Sequence, residues 1–149
     1  MEVRFQHSPK ETASMNSSEL RKNFICGSLM QQGQIHLVYS HYDRVIVGGV
    51  KPIDTVLPLI QEPELRSGYF LERRELGIIN VGGQGIVNAD GIAYSLDKLD
   101  CLYLGKGVKE VNFRTGDPSQ PGLFYLLSAP AHHSYPNRLL KKMKPFHQL

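Results

Sequence analysis

From Gln34 onward, glycine-centred turns cut this chain into pieces too short for helices. Gly82-Gly83-Gln84-Gly85, Asp90-Gly91, Gly105-Lys106-Gly107 and Gly116-Asp117-Pro118 follow one another at short intervals. Such dipeptides supply the positive-φ positions of tight hairpins, at which side chains are disfavoured. Between them lie runs rich in β-branched, aromatic and other apolar residues, which predict strands over 34–40, 44–47, 67–73, 76–81, 86–88, 92–96, 101–104, 108–113 and 123–127. In the first run Ile35, Leu37 and Tyr39 alternate with His36, Val38 and Ser40, and Gly48-Gly49 is expected to end the second. Many short strands separated in this way favour an antiparallel sandwich or barrel over βαβ units. The stretch 52–63 is interrupted by prolines, so a loop or an edge strand is expected there.

One helix is expected near the start. Asn16 and Glu19 have capping-box spacing, Leu20, Phe24 and Ile25 recur at helical intervals, and Gly27 stops the run. With 149 residues, 41% hydrophobic and 21% charged, the chain has the size and composition of one soluble domain. A net charge of +3 is only mildly basic, and apart from Lys141, Lys142 and Lys144 the cations are dispersed. With no RNP, zinc-finger or helix-turn-helix pattern, no nucleic-acid partner is expected. The isolated thiols Cys26 and Cys101 suit a reducing compartment. The first fifteen residues carry Glu2, Arg4, Lys10 and Glu11 without an apolar run, and no stretch approaches a membrane span. A cytoplasmic protein with no membrane association is the expectation.

The spacing of Gly83, Gly85 and Gly91, followed by Tyr94 and then Leu102-Tyr103, resembles the middle of a cupin, a small jelly-roll barrel. A metal-binding cupin places two histidines one residue apart, then a glutamate, then a glycine seven positions later, and a further histidine downstream. Imidazole and carboxylate donors of this kind suit zinc, iron or manganese. Glu75, seven positions before Gly82, takes the glutamate place. The histidine places fall on Gly68 and Phe70, or on Tyr69 and Leu71, and the downstream place falls on Glu110. No imidazole is supplied, so this barrel is expected to bind no metal.

Of the six histidines, His7, His36, His41, His132, His133 and His147, no pair has zinc-ligand spacing. Adjacent His132 and His133 point to opposite faces of an extended chain. Gly105-Lys106-Gly107 lacks the frame of a phosphate loop, and Gly82-Gly83-Gln84-Gly85 lacks the third glycine and the helix of a dinucleotide fingerprint.

Three segments together are similar, in order and spacing, to the front half of 5-keto-4-deoxyuronate isomerases. They are 39–49, with Tyr42-Asp43-Arg44; 69–85, with Arg73-Arg74-Glu75 and Gly82-Gly83; and 102–113 with 130–136, carrying Gly105-Lys106-Gly107 and His132-His133. The resemblance implies an all-β protein with two fused cupin barrels, commonly hexameric. It implies a ketol isomerisation of 5-dehydro-4-deoxy-D-glucuronate in pectin breakdown, with zinc held by three histidines and a glutamate of the second barrel. On this basis 1–33 is an arm with a short helix, 34–136 a first barrel without metal, and 137–149 a divergent tail. The chain then corresponds to a half, truncated or frameshifted, that is inactive alone or nearly so. A non-catalytic module for assembly or sugar-acid binding is the alternative, and a homo-oligomer is expected in either case.

The resemblance assigns no catalytic residue to this half. An anionic substrate calls for basic partners, and Arg73, Arg74 and Lys106 are the candidates, with His132 and Tyr135 as hydrogen-bonding groups. The competing reading makes Arg73, Arg74, Glu75 and Glu110 a structural polar network inside the barrel.

Overall fold

The computed structural model describes residues 1–143. Its elements are β1 (Glu2–Arg4), α1 (Pro9–Ala13), α2 (Ser17–Phe24), β2 (Ile35–Ser40), β3 (Ile46–Val50), β4 (Leu57–Pro58), β5 (Arg74–Asn80), β6 (Gly85–Ala89), β7 (Ile92–Leu96), β8 (Cys101–Leu104), β9 (Val111–Thr115), β10 (Phe124–Pro130) and β11 (Arg138–Leu140). They form a seven-stranded sheet ordered β1-β2-β3-β10-β5-β8-β11 and a four-stranded sheet ordered β4-β9-β6-β7. All pairings within them are antiparallel except that of β1 with β2. Alternate residues of both sheets meet between them: Leu76, Ile78, Leu104 and Phe124 from the large sheet face Val87 and Phe113 from the small one. The Phe113 and Phe124 rings lie 5.3 Å apart at the centre.

Local chemistry accounts for several turns. β6 and β7 are joined by Asp90-Gly91, whose φ values of 47° and 83° match the twist of the flanking strands. The Asp90 carboxylate accepts from the Lys109 and Glu110 amides, tying this hairpin to β9. Asn80, fully buried, donates to the carbonyls of Gly83 and Leu96 and accepts from the amides of Gly82 and Leu123, so it organises the glycine turn after β5. α2 has the expected cap, with Asn16 and Glu19 bonding each other's amides. A second box, Ser8 with Glu11, starts α1, a helix that the sequence analysis did not anticipate. Neither helix buries a residue, and Leu20, Phe24 and Ile25 remain largely exposed.

Four expectations need correction. Gly48 and Gly49 do not end β3 but lie inside it. A Cβ on Gly48 would meet the Leu37 side chain, and one on Gly49 the Leu29 carbonyl, so bare backbone is needed where β3 is crossed closely. Residues 67–73 form turns, not a strand. Phe70 and Leu71 are nonetheless buried, plugging one end of the sandwich. Residues from the proposed tail join the large sheet: β11 pairs with β8, and Lys141 and Lys142 bond Asp100. Lys144 and His147 lie outside the described residues. Finally, β5 turns Arg74, Leu76, Ile78 and Asn80 inward and leaves Glu75 on the outer face.

Candidate functional site

The reversal on β5 decides where charge sits. Glu75, expected among the inward positions, instead accepts a hydrogen bond from the Tyr103 hydroxyl at 2.8 Å on the outer face. Burial, together with the adjoining Glu75 carboxylate, pushes the Tyr103 phenol up to about 12. Glu110 is exposed in the loop before β9, where its backbone amide donates to the Asp90 carboxylate and its carbonyl accepts from the Asp90 amide. The expected network of Arg73, Arg74, Glu75 and Glu110 therefore does not form. Strand alternation separates Arg74 from Glu75, and Glu110 lies in the loop that leads into the other sheet.

Arg74 is 6% exposed. Its Nε donates to Ser128 Oγ at 3.0 Å, and its Nη2 donates to the carbonyls of Ser128 at 2.9 Å and Arg44 at 2.6 Å. The guanidinium lies 5.9 Å from the centre of the Tyr39 ring. Burial pulls its pKa down; the Tyr39 side chain opposes this and Arg44 adds to it. Beside it opens a cavity of about 180 Å³ lined by Tyr39, Arg44, Glu64, Leu65, Ser67, Phe70, Arg73, Arg74 and Pro130. The turn 67–73 forms one wall, fixed by the Glu72 carboxylate on the Gly68 amide and by bonds from the Gly107 and Ala131 amides to the Leu71 and Arg73 carbonyls. Arg44 occupies the β2–β3 turn at φ 55°.

Of the sequence candidates, Arg73 and Arg74 meet at this cavity. Lys106 lies in the loop leaving β8, and His132 and Tyr135 follow β10; none of the three lines the cavity. The register Pro130↔Arg74 and Leu76↔Leu104 nevertheless brings these loops to the same end of the sandwich. His132, His133 and Tyr135 are exposed, and the last two rings stand edge to face. Sequence reasoning missed Tyr39, Arg44, Glu64 and Ser67. Arg44 stood in a segment already singled out, whereas nothing in the pattern marked Ser67.

The residues present do not fit a zinc ion. Among the described residues no three His, Cys, Asp or Glu side chains gather where a metal could be held. The inward positions of β5 carry a guanidinium, two aliphatic side chains and an amide. Among these residues no helix is long and apolar enough to cross a membrane.

Two face-to-face sheets with these short connections and a plugged end define a cupin-fold protein. The cupin domain of Schizosaccharomyces pombe Cnp3 superposes with a TM-score of 0.52 over 70% of each chain at 9% identity, a likeness of fold alone. No family model matches the chain. Sequence identity is more specific. A Shouchella clausii protein named 4-deoxy-L-threo-5-hexosulose-uronate ketol-isomerase is 45% identical over 139 residues, 93% of this chain and 50% of its own length. One of the same name from Formosa agariphila is 48% identical over 141 residues, 95% of this chain and 50% of its own. The chain belongs to the 4-deoxy-L-threo-5-hexosulose-uronate ketol-isomerase family, and it spans about half the length of the curated relatives it matches.

Proposed function

We propose that this chain serves as one part of a uronate ketol-isomerase, supplying a cupin barrel without a metal ligand set, and that alone it does not turn over substrate. The observation carrying the proposal is the 45% identity to a uronate ketol-isomerase across 93% of the chain. Ketol isomerisation removes a proton from one carbon and returns one to its neighbour. It needs a base placed at that carbon and stabilisation of the oxyanion that develops. The cationic cavity can bind and orient an acid, but the groups around it form no acid–base pair: Tyr103 and Glu75 satisfy each other on the far face of β5. The zinc that the family resemblance implies has no fitting donors among the described residues, so the reacting centre belongs to polypeptide beyond them.

The test is an isomerisation assay on 4-deoxy-L-threo-5-hexosulose uronate with zinc present. It compares the 149-residue chain with a chimera joining it to the half of the Shouchella clausii protein that the alignment leaves uncovered. Turnover is expected from the chimera only. Turnover by the short chain alone, or none by a cooperatively folded chimera, overturns the proposal.

A further inference from the structure

The cavity at the plugged end carries a surplus of positive charge that no ion pair among the described residues offsets. A guanidinium withdrawn from water is costly unless a negative charge stands beside it. Among the described residues Arg74 has only neutral acceptors, two carbonyls and a hydroxyl, and its Nη1 has none. No ion pair among the described residues involves Arg74, Arg44 or Arg73. Three guanidinium groups and one carboxylate, that of Glu64, line the same space, so its walls carry a surplus of positive charge.

A second observation is independent of charge. The hydroxyl of Ser67 is sealed from solvent and is the buried side-chain polar atom left without a partner among the described residues. Ser67 is among the residues that line this cavity. Buried hydroxyls are almost always hydrogen-bonded, and an orphan beside an open space marks a place where a polar ligand completes the set. A cavity of about 150 Å³ admits a benzene ring, so this one, at about 180 Å³, has room for the carboxylate end of a sugar acid. An adjoining hollow shares Tyr39 and Glu64 and adds His41 and Arg66, giving further polar groups along its rim.

We infer that the cavity walled by Arg44, Arg73, Arg74 and Ser67 binds the carboxylate of a single monosaccharide-sized sugar acid, its hydroxyls reaching Ser67, Tyr39 and Glu64. Guanidinium groups suit this role because their paired N–H donors match the two oxygens of a carboxylate. The choice of a uronate as the anion rests on the isomerase reading; the demand for an anion rests on Arg74 and its arginine neighbours in the lining.

Calorimetric titration of the 149-residue chain with D-galacturonate, beside D-galactose as the neutral counterpart, tests the site. Galacturonate is expected to bind at millimolar concentration, more weakly as salt is raised, with galactose giving no heat. The double variant Arg44→Ala, Arg73→Ala alters two exposed side chains and is expected to lose at least tenfold in affinity at an unchanged melting temperature. Ser67→Ala is expected to lose several-fold, and Lys98→Ala, away from the cavity, nothing. Equal binding of the two sugars, no binding of galacturonate, or full affinity in the folded double variant overturns the site. A chimera that turns over while the chain fails to bind galacturonate sinks the site alone, and binding beside an inactive chimera sinks the isomerase reading alone.

Discussion

Replacing Asp100 by alanine tests whether the residues after Pro136 belong to the folded barrel. Asp100 is 2% exposed. It accepts from the Asp97 amide at 2.8 Å, the Lys142 amide at 2.8 Å and Lys141 Nζ at 2.7 Å. Hydrogen bonds to a charged group contribute roughly 1.5–3 kcal/mol each when buried. The Lys141 side chain is half exposed, so its pair with Asp100 is worth only about 0.5–1 kcal/mol. Water can reach the freed amides of Asp97 and Lys142, both exposed residues, which reduces the remainder. The sum is about 3 kcal/mol for Asp100→Ala, or roughly 6–12 °C in Tm for a domain of this size. Lys141→Ala should cost about 1 kcal/mol or less. Urea denaturation of both single variants and the double variant gives these values and the coupling between the two sites. An Asp100→Ala cost no larger than that of Lys141→Ala would mean that the segment beyond β11 is not fastened to the barrel as described. The pH dependence provides a further check. Burial alone would raise the Asp100 pKa, but the bonds from Lys141 and from the Lys142 and Asp97 amides hold it below its ordinary 3.8. Its contribution is therefore complete above that value and is lost as pH falls through the lowered folded value, so the variant should show a flatter acid limb.

The Tyr103 phenol, held protonated to about 12, should give a late step in a phenolate absorbance titration, and Tyr103→Phe should abolish that step. Because its folded pKa lies above the unfolded one, the stability it supplies is present below the ordinary tyrosine range and is lost as pH climbs toward about 12; an absorbance titration unchanged by Tyr103→Phe near that pH would contradict the bond to Glu75. Ser128, 1% exposed, accepts from Arg74 Nε and donates to the Glu75 carbonyl at 2.7 Å. Ser128→Ala should destabilise the fold by about 2 kcal/mol in chemical denaturation, and a loss under about 0.5 kcal/mol would show that Arg74 finds another acceptor.

Local rules made much of this protein legible from its sequence. The Asp90-Gly91 hairpin, the Asn16 cap and strands β7 and β8 follow from preferences acting over a few residues: glycine's access to positive φ, an amide reaching its neighbour three positions on, and the alternation of apolar side chains. Identity along the chain placed it in its family without any coordinates. Tertiary contacts decided the rest. Which of Arg74 and Glu75 points inward depends on the register of β5 against β10 and β8, and a shift of one residue would exchange them. Gly48-Gly49 reads locally as a strand terminator, yet the closeness of Leu37 and the Leu29 carbonyl makes it strand. At the arginine cavity Arg74 is tied to Arg44 and to Ser128 through bonds between residues 30 and 54 positions apart. Preferences confined to neighbouring residues carry no information about such pairings, because a charge's partners are fixed only when the sheets close around it.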